Sequence, residues 1–279
     1  PQVVFYDPGV GTDESLFDKI TGGAFGKGLD ENIYQAYRFL CLNYEPGDEI
    51  YVFGFSRGAY TARSLVGMIN RVGILKREHI RKIVEAYRLY RDRELNPESD
   101  VVRAFRESEI SRVPAISALC CWDTVGSLGV PDLIPWLSID NHVNERYRFH
   151  NTHLSPVVQN AFHAIAIDER REVFDVTRME KGKGFTGKLV ETWFPGDHGC
   201  VGGGAKRTAG FSDGALLWMH ERISKHAKLG LEVDFGRVPL GVDPNLNGTD
   251  GFDITNIRVG LKYRVLGTED RNLSGGVGS

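Results

Sequence analysis

Cysteine is scarce: Cys41, Cys120, Cys121 and Cys200 are the four in 279 residues, and no two form a C-x-x-C pair. That excludes a disulfide-built secreted scaffold, and the thiols are expected to stay reduced. Neither sign of charge dominates. With 34 lysines and arginines against 37 aspartates and glutamates, and a net charge of −3, there is no global electrostatic case for a nucleic-acid partner. No run of about eighteen apolar residues occurs, so nothing reads as a membrane span. Pro1 runs directly into apolar Val3, Val4, Phe5 and Tyr6, so no signal peptide is visible. The expectation is a soluble protein made in the cytoplasm, with a natural start upstream of Pro1.

Glycine, by contrast, is plentiful at 33 residues. Gly9 with Gly11 and Gly26 with Gly28 begin like dinucleotide fingerprints, but neither completes Gly-x-Gly-x-x-Gly, so no nucleotide cofactor is expected. Two other glycines, Gly54 and Gly58, frame Ser56 in a Gly-x-Ser-x-Gly turn. Ile50 to Phe53 before it is a short β-prone run, entered from the turn signal Glu45, Pro46, Gly47, Asp48. After it, Ala59, Ala62, Leu65, Val66 and Ile69 recur at helical spacing up to a stop at Gly73. Strand, tight turn and helix together make a nucleophile elbow, in which the serine takes a strained backbone and its hydroxyl stands clear. The plainer alternative is an ordinary strand-to-helix turn with a surface serine.

The rest of the chain keeps the rhythm of strand and helix. Residues 3 to 6 predict a strand ending in the Asp7 to Thr12 loop, and Asp30 is expected to cap a helix carrying Ile33, Tyr37, Phe39 and Leu40. Lys76 to Glu94 predicts a basic amphipathic helix, with Ile80, Ile83, Val84 and Tyr87 on one face. It reads either as a membrane-surface contact or, more plainly, as a solvated helix over the core. Ile116 to Trp122 is a buried strand ending at Asp123, a carboxylate on the same rim as Ser56 or simply a turn former. Phe162 to Ile167 ends like a strand at Asp168, with His163 a structural histidine among apolar neighbours. Leu189 to Phe194 predicts a final strand that runs into His198, and Ser212 to Lys225 a covering helix. This is an α/β fold, a mostly parallel central sheet with helices on both faces. It is expected to form one domain over residues 1–279, with a lid-like insertion about 128–155 and a flexible tail at 272–279.

Five blocks in order resemble a known family: Tyr6 with Gly9 to Thr12, Gly54 to Arg63, Trp122 to Gly126, Ala166 to Arg170, and Trp193 to His198 leading into Gly202 to Gly204. The chain is similar over most of residues 1 to 225 to the α/β-hydrolases that include type VI secretion phospholipase effectors and bacterial and fungal relatives. The resemblance implies Ser56 as nucleophile, Asp123 as acid and His198 as base, in the Ser, Asp, His chain order of such hydrolases. Two departures stand out: Cys200 replaces an aspartate two residues after the histidine, and Ala205 ends the glycine run in place of tyrosine.

The expected activity is hydrolysis of carboxylic esters, lipid or phospholipid acyl esters first, through an acyl-enzyme, with no metal or organic cofactor. The backbone N–H groups of Arg57 and Gly9 are the expected oxyanion donors. Asp168 is the alternative acid, and Asp197 ranks last because it adjoins His198. The rival readings are a non-catalytic binding or scaffold domain of the same fold, a small-ester esterase and a peptidase. Export by a secretion system would follow the resemblance. One further expectation concerns the front of the chain. The family's usual strand ending in Asp-Gly-Thr has no match here, so the sheet beside Ile50 to Phe53 is expected to need a strand from an upstream segment. The competing arrangement pairs Val3 to Tyr6 directly with Ile50 to Phe53.

Overall fold

The computed structural model describes residues 2–7, 24–92, 94–126, 153–171, 174–203, 209–227 and 257–262. The lid-like stretch up to residue 152, Gly9, Ala205 and the 272–279 tail lie outside them. In chain order the strands are β1 (Gln2–Asp7), β2 (Glu49–Phe55), β3 (Ile74–Leu75), β4 (Ser111–Arg112), β5 (Ile116–Trp122), β6 (His153–Leu154), β7 (Asn160–Ala166), β8 (Glu180–Lys181), β9 (Lys188–Phe194) and β10 (Ile257–Lys262). The helices are α1 (Ala24–Asn43), α2 (Arg57–Val72), α3 (Ile83–Arg91), α4 (Asp100–Arg106), α5 (His198–Gly202) and α6 (Ala209–His226).

Six strands form one sheet in the order β1-β10-β2-β5-β7-β9. The pairs β2 with β5, β5 with β7 and β7 with β9 are parallel, so β2, β5 and β7 end on a common rim. Side-chain alternation divides the core into two layers. Ile50, Val52, Leu119 and Cys121 face Tyr37 and Leu40 of α1 and Leu65 and Ile69 of α2. Tyr51, Phe55, Cys120, Trp122 and Phe162 face Met219 and Ile223 of α6. Both faces are therefore covered, as the apolar strands require. The four cysteines are free and buried, and burial pushes the Cys121 thiol up to about 12. Among the described residues no helix is long and apolar enough to cross a membrane.

The front of the sheet differs from expectation. Neither an upstream strand nor a direct pairing of β1 with β2 is found: β10 lies between them, antiparallel to both. The backbone groups facing each other across that gap are thus satisfied from within residues 1–279. It also means that Leu189 to Phe194 is the edge strand β9 and not the last strand of the chain.

Two smaller corrections have local causes. Asp30 lies inside α1, which starts at Ala24, and pairs with Arg91 at 3.1 Å instead of capping. The basic helix is two pieces, a 3-10 turn over Arg77–Lys82 and then α3. Phasing restarts at the junction, so Ile83, Ala86 and Tyr90 are buried while Val84 is 58% exposed.

Candidate active site

Ser56 sits between the end of β2 and the first turn of α2. Its φ of 57° and ψ of −121° lie where side chains other than glycine rarely go. The elbow can close this tightly because Gly54 has no Cβ: one built there would overlap the Gly58 carbonyl. The Ser56 N–H donates to the Trp122 carbonyl at 3.0 Å, which ties the turn to β5. Asp123 follows directly after β5 and also has a positive φ, 39°. Among the described residues these two are the only non-glycine residues with positive φ. Strain of this kind costs about 1–3 kcal/mol per residue and clusters at functional sites.

His198 opens α5 beyond the end of β9 and joins the two. Its Nε2 lies 2.8 Å from Ser56 Oγ, and its Nδ1 lies 2.6 Å from Asp123 Oδ2. The other carboxylate oxygen of Asp123 accepts the Ala166 N–H at 2.9 Å. With Nδ1–H donating to the carboxylate, Nε2 is left to accept the serine hydroxyl. All three residues are buried: Ser56 at 8%, Asp123 at 1% and His198 at 6% exposure. Asp168 turns elsewhere and accepts the Gly196 N–H at 2.7 Å. Asp197 caps α5 by accepting the Cys200 N–H at 3.0 Å. Arg57 is the first residue of α2, directly after the serine. Gly9 lies outside the described residues; β1, which ends at Asp7, stands two strands from β2. Among the described residues no group of three or more His, Cys, Asp or Glu could hold a metal ion.

Several contacts around His198 have no sequence signal. Its ring is sandwiched by Phe55, 4.5 Å away centroid to centroid, and Phe174, 4.6 Å away. Arg171 lies over the outer face of Phe174 at 4.1 Å and binds Glu169. Glu169 in turn accepts the His198 N–H at 3.1 Å. The hydrogen bonds from Arg171 hold the Glu169 carboxyl down to about 2. The stack fixes the plane of the imidazole, which hydrogen bonds at two nitrogens alone would let tilt.

Gly202 makes the inner half of the sandwich possible, since a Cβ there would overlap the Phe55 ring. We therefore expect Gly202→Ala to fold, with Phe55 pushed off the imidazole. Overpacking of this kind costs about 1–3 kcal/mol, and a displaced base costs on the order of 10²-fold in turnover. Thermal melting and ester hydrolysis measured on one preparation check both halves of that expectation. Full activity would show that Phe55 does not hold the ring.

Comparison with known proteins adds the following. The family model described as "T6SS, Phospholipase effector Tle1-like, catalytic domain" matches residues 1–222. The uncharacterized protein YEL023C of Saccharomyces cerevisiae is 31% identical over 195 residues, 62% of this chain and 26% of that protein. The chain thus spans about a quarter of the length of this curated relative. No solved structure matches.

Proposed function

The chain belongs to the family of Tle1-like phospholipase effector catalytic domains of type VI secretion, and on that premise we propose that it is a serine hydrolase cleaving lipid acyl esters through an acyl-enzyme. The observation that carries this reading is the continuous hydrogen-bonded path Ser56 to His198 to Asp123, at 2.8 and 2.6 Å, built on the two strained residues.

In the proposed reaction Ser56 Oγ attacks the ester carbonyl while His198 Nε2 takes its proton. Asp123 holds the imidazole by Nδ1 and stabilises the imidazolium that forms. The Arg57 N–H, at the start of α2, donates to the developing oxyanion, and Gly9 is proposed as the second donor. The imidazolium then protonates the leaving alcohol, and water repeats the sequence to release the fatty acid. The catalytic unit is proposed to be a single domain extending past the matched residues, which the insertion of β10 between β1 and β2 supports.

A fluorophosphonate probe tests the serine chemistry, because only an activated serine reacts quickly. Peptide mapping is expected to find the label on Ser56, and phosphatidylethanolamine or phosphatidylglycerol vesicles are expected to release fatty acid. Hydrolysis of short-chain p-nitrophenyl esters without release from either phospholipid would make the enzyme a small-ester esterase. Neither labelling nor hydrolysis would leave a binding domain that keeps the elbow for folding alone.

A further inference from the structure

Behind the candidate acid lies a second histidine–carboxylate pair that the proposed reaction does not use. Cys121, His163 and Glu191 stand side by side across β5, β7 and β9. His163 is fully buried, and its Nδ1 lies 3.0 Å from Glu191 Oε1. Its Nε2 accepts the backbone N–H of Thr124 at 3.0 Å, with the Thr124 hydroxyl also 3.0 Å away. We propose that His163 is a positioning residue for the hydrolase: with Glu191 fixing its tautomer, it holds the Thr124 N–H and so keeps Asp123 aimed at His198. The proposal rests on the reading of Asp123 as the acid of that reaction.

The reason lies in the backbone of Asp123. A φ of 39° persists only where the surroundings over-determine it. Three backbone contacts help: Asp123 N–H to the Ala164 carbonyl at 2.7 Å, Thr177 N–H to the Thr124 carbonyl at 2.7 Å, and the bridge of Val125 with Val176. The Thr124 N–H, immediately after Asp123, has a side chain as its acceptor, the imidazole of His163. A ring nitrogen accepts only when its proton sits on the other nitrogen, so Nδ1 must carry it and donate to Glu191.

The groups facing the imidazole favour that state. Burial lowers the pKa of His163 and outweighs the opposing pull of Glu191 and Asp123, with the Arg63 charge adding to the lowering. Burial works the other way on Glu191, but donors from His163, Met179 and Arg178 overcome it and hold the carboxyl down to about 2. Arg178 supplies two of these donors, at 3.0 and 2.8 Å, and the Met179 N–H another at 2.9 Å. Arg63 of α2 completes the frame by donating to the carbonyls of Thr177 and Arg178 at 2.5 and 3.0 Å. The helix that follows the nucleophile is thereby tied to the segment that holds the acid's turn.

The test compares wild type, His163→Leu, His163→Gln and Glu191→Gln on p-nitrophenyl butyrate, with turnover expressed per site titrated by a fluorophosphonate probe. Misfolded protein then drops out of the count. His163→Leu is expected to lose on the order of 10²-fold in kcat, with KM within about two-fold. The acid limb of its kcat/KM profile is expected to move to lower pH by roughly half a unit or more, because a displaced carboxylate stabilises the imidazolium less. His163→Gln keeps an acceptor for the Thr124 N–H and is expected to recover most of both losses. Glu191→Gln leaves the ring in place but no longer dictates its tautomer, and is expected to fall between wild type and His163→Leu. If the His163→Leu variant cannot be titrated, Glu191→Gln decides. Wild-type kcat per site and an unmoved limb in Glu191→Gln and in any titratable His163→Leu, whatever the fall in Tm, would overturn the positioning role. A wild-type protein that neither reacts with the probe nor hydrolyses the ester would instead overturn the hydrolase reading beneath it.

Discussion

Ser56→Ala is expected to lower ester turnover on the order of 10⁶-fold while leaving the fold and melting temperature close to wild type. The hydroxyl makes no capping hydrogen bond to α2, and its partner is His198 Nε2 at 2.8 Å. Removing it therefore deletes the proposed nucleophile without unpinning a structural element. The elbow itself is held by the backbone, through the Ser56 N–H on β5 and the close approach of Gly54 to Gly58, and alanine leaves both intact. Residual turnover would come from the oxyanion donors and substrate binding, which act without the serine. Initial rates on a phospholipid and on a short-chain ester, beside a melting curve, check the expectation. Turnover near that of wild type would refute Ser56 as the nucleophile.

Asp123→Asn is expected to be the second most damaging change, on the order of 10⁴-fold in kcat, again with the protein folded. Asparagine tolerates positive φ better than most residues, and its carbonyl can still accept the Ala166 N–H. Its NH₂ would then face His198 Nδ1, which forces the proton onto Nε2 and turns a donor toward the serine hydroxyl. The base would be present and correctly placed, but in the wrong tautomer. The informative control is Asp168→Asn, at the carboxylate that accepts the Gly196 N–H. Its kcat is expected to stay within a few-fold of wild type, as for a group outside the proton path. The opposite ranking of the two variants would hand the acid's role to Asp168.

What can be read in the sequence is whatever leaves a local trace. The elbow is legible because strand, turn and helix are consecutive, and Asp123 and His198 can be singled out because each follows a short apolar run. The alternation of strands and helices yields the α/β class for the same reason. The strand β10 leaves no such trace: it pairs with Val3 to Tyr6 from the far end of the chain, and a six-residue run records no partner that distant. Phe174, well before His198 and without periodicity, gives no sign that it stacks on the imidazole. His163 is readable as a buried, satisfied histidine. What satisfies it is not, because Thr124 lies just past β5 and Glu191 in β9, and the register of those two strands against β7 has to be known first.

The two positive-φ residues also bear on how such a sequence changes over generations. Glycine at 56 would relieve a backbone that costs about 1–3 kcal/mol, and there only chemistry opposes the exchange. At 123 the carboxylate also accepts the buried Ala166 N–H, and glycine would leave that donor unpaired at a cost of about 1–3 kcal/mol. In a lineage that has abandoned the reaction, Ser56 should therefore drift to glycine early while Asp123 stays. His198, in the helical backbone of α5, gains nothing from replacement and should linger. A descendant with glycine at 56 and the Asp123–His198 pair intact would carry the record of a lost activity.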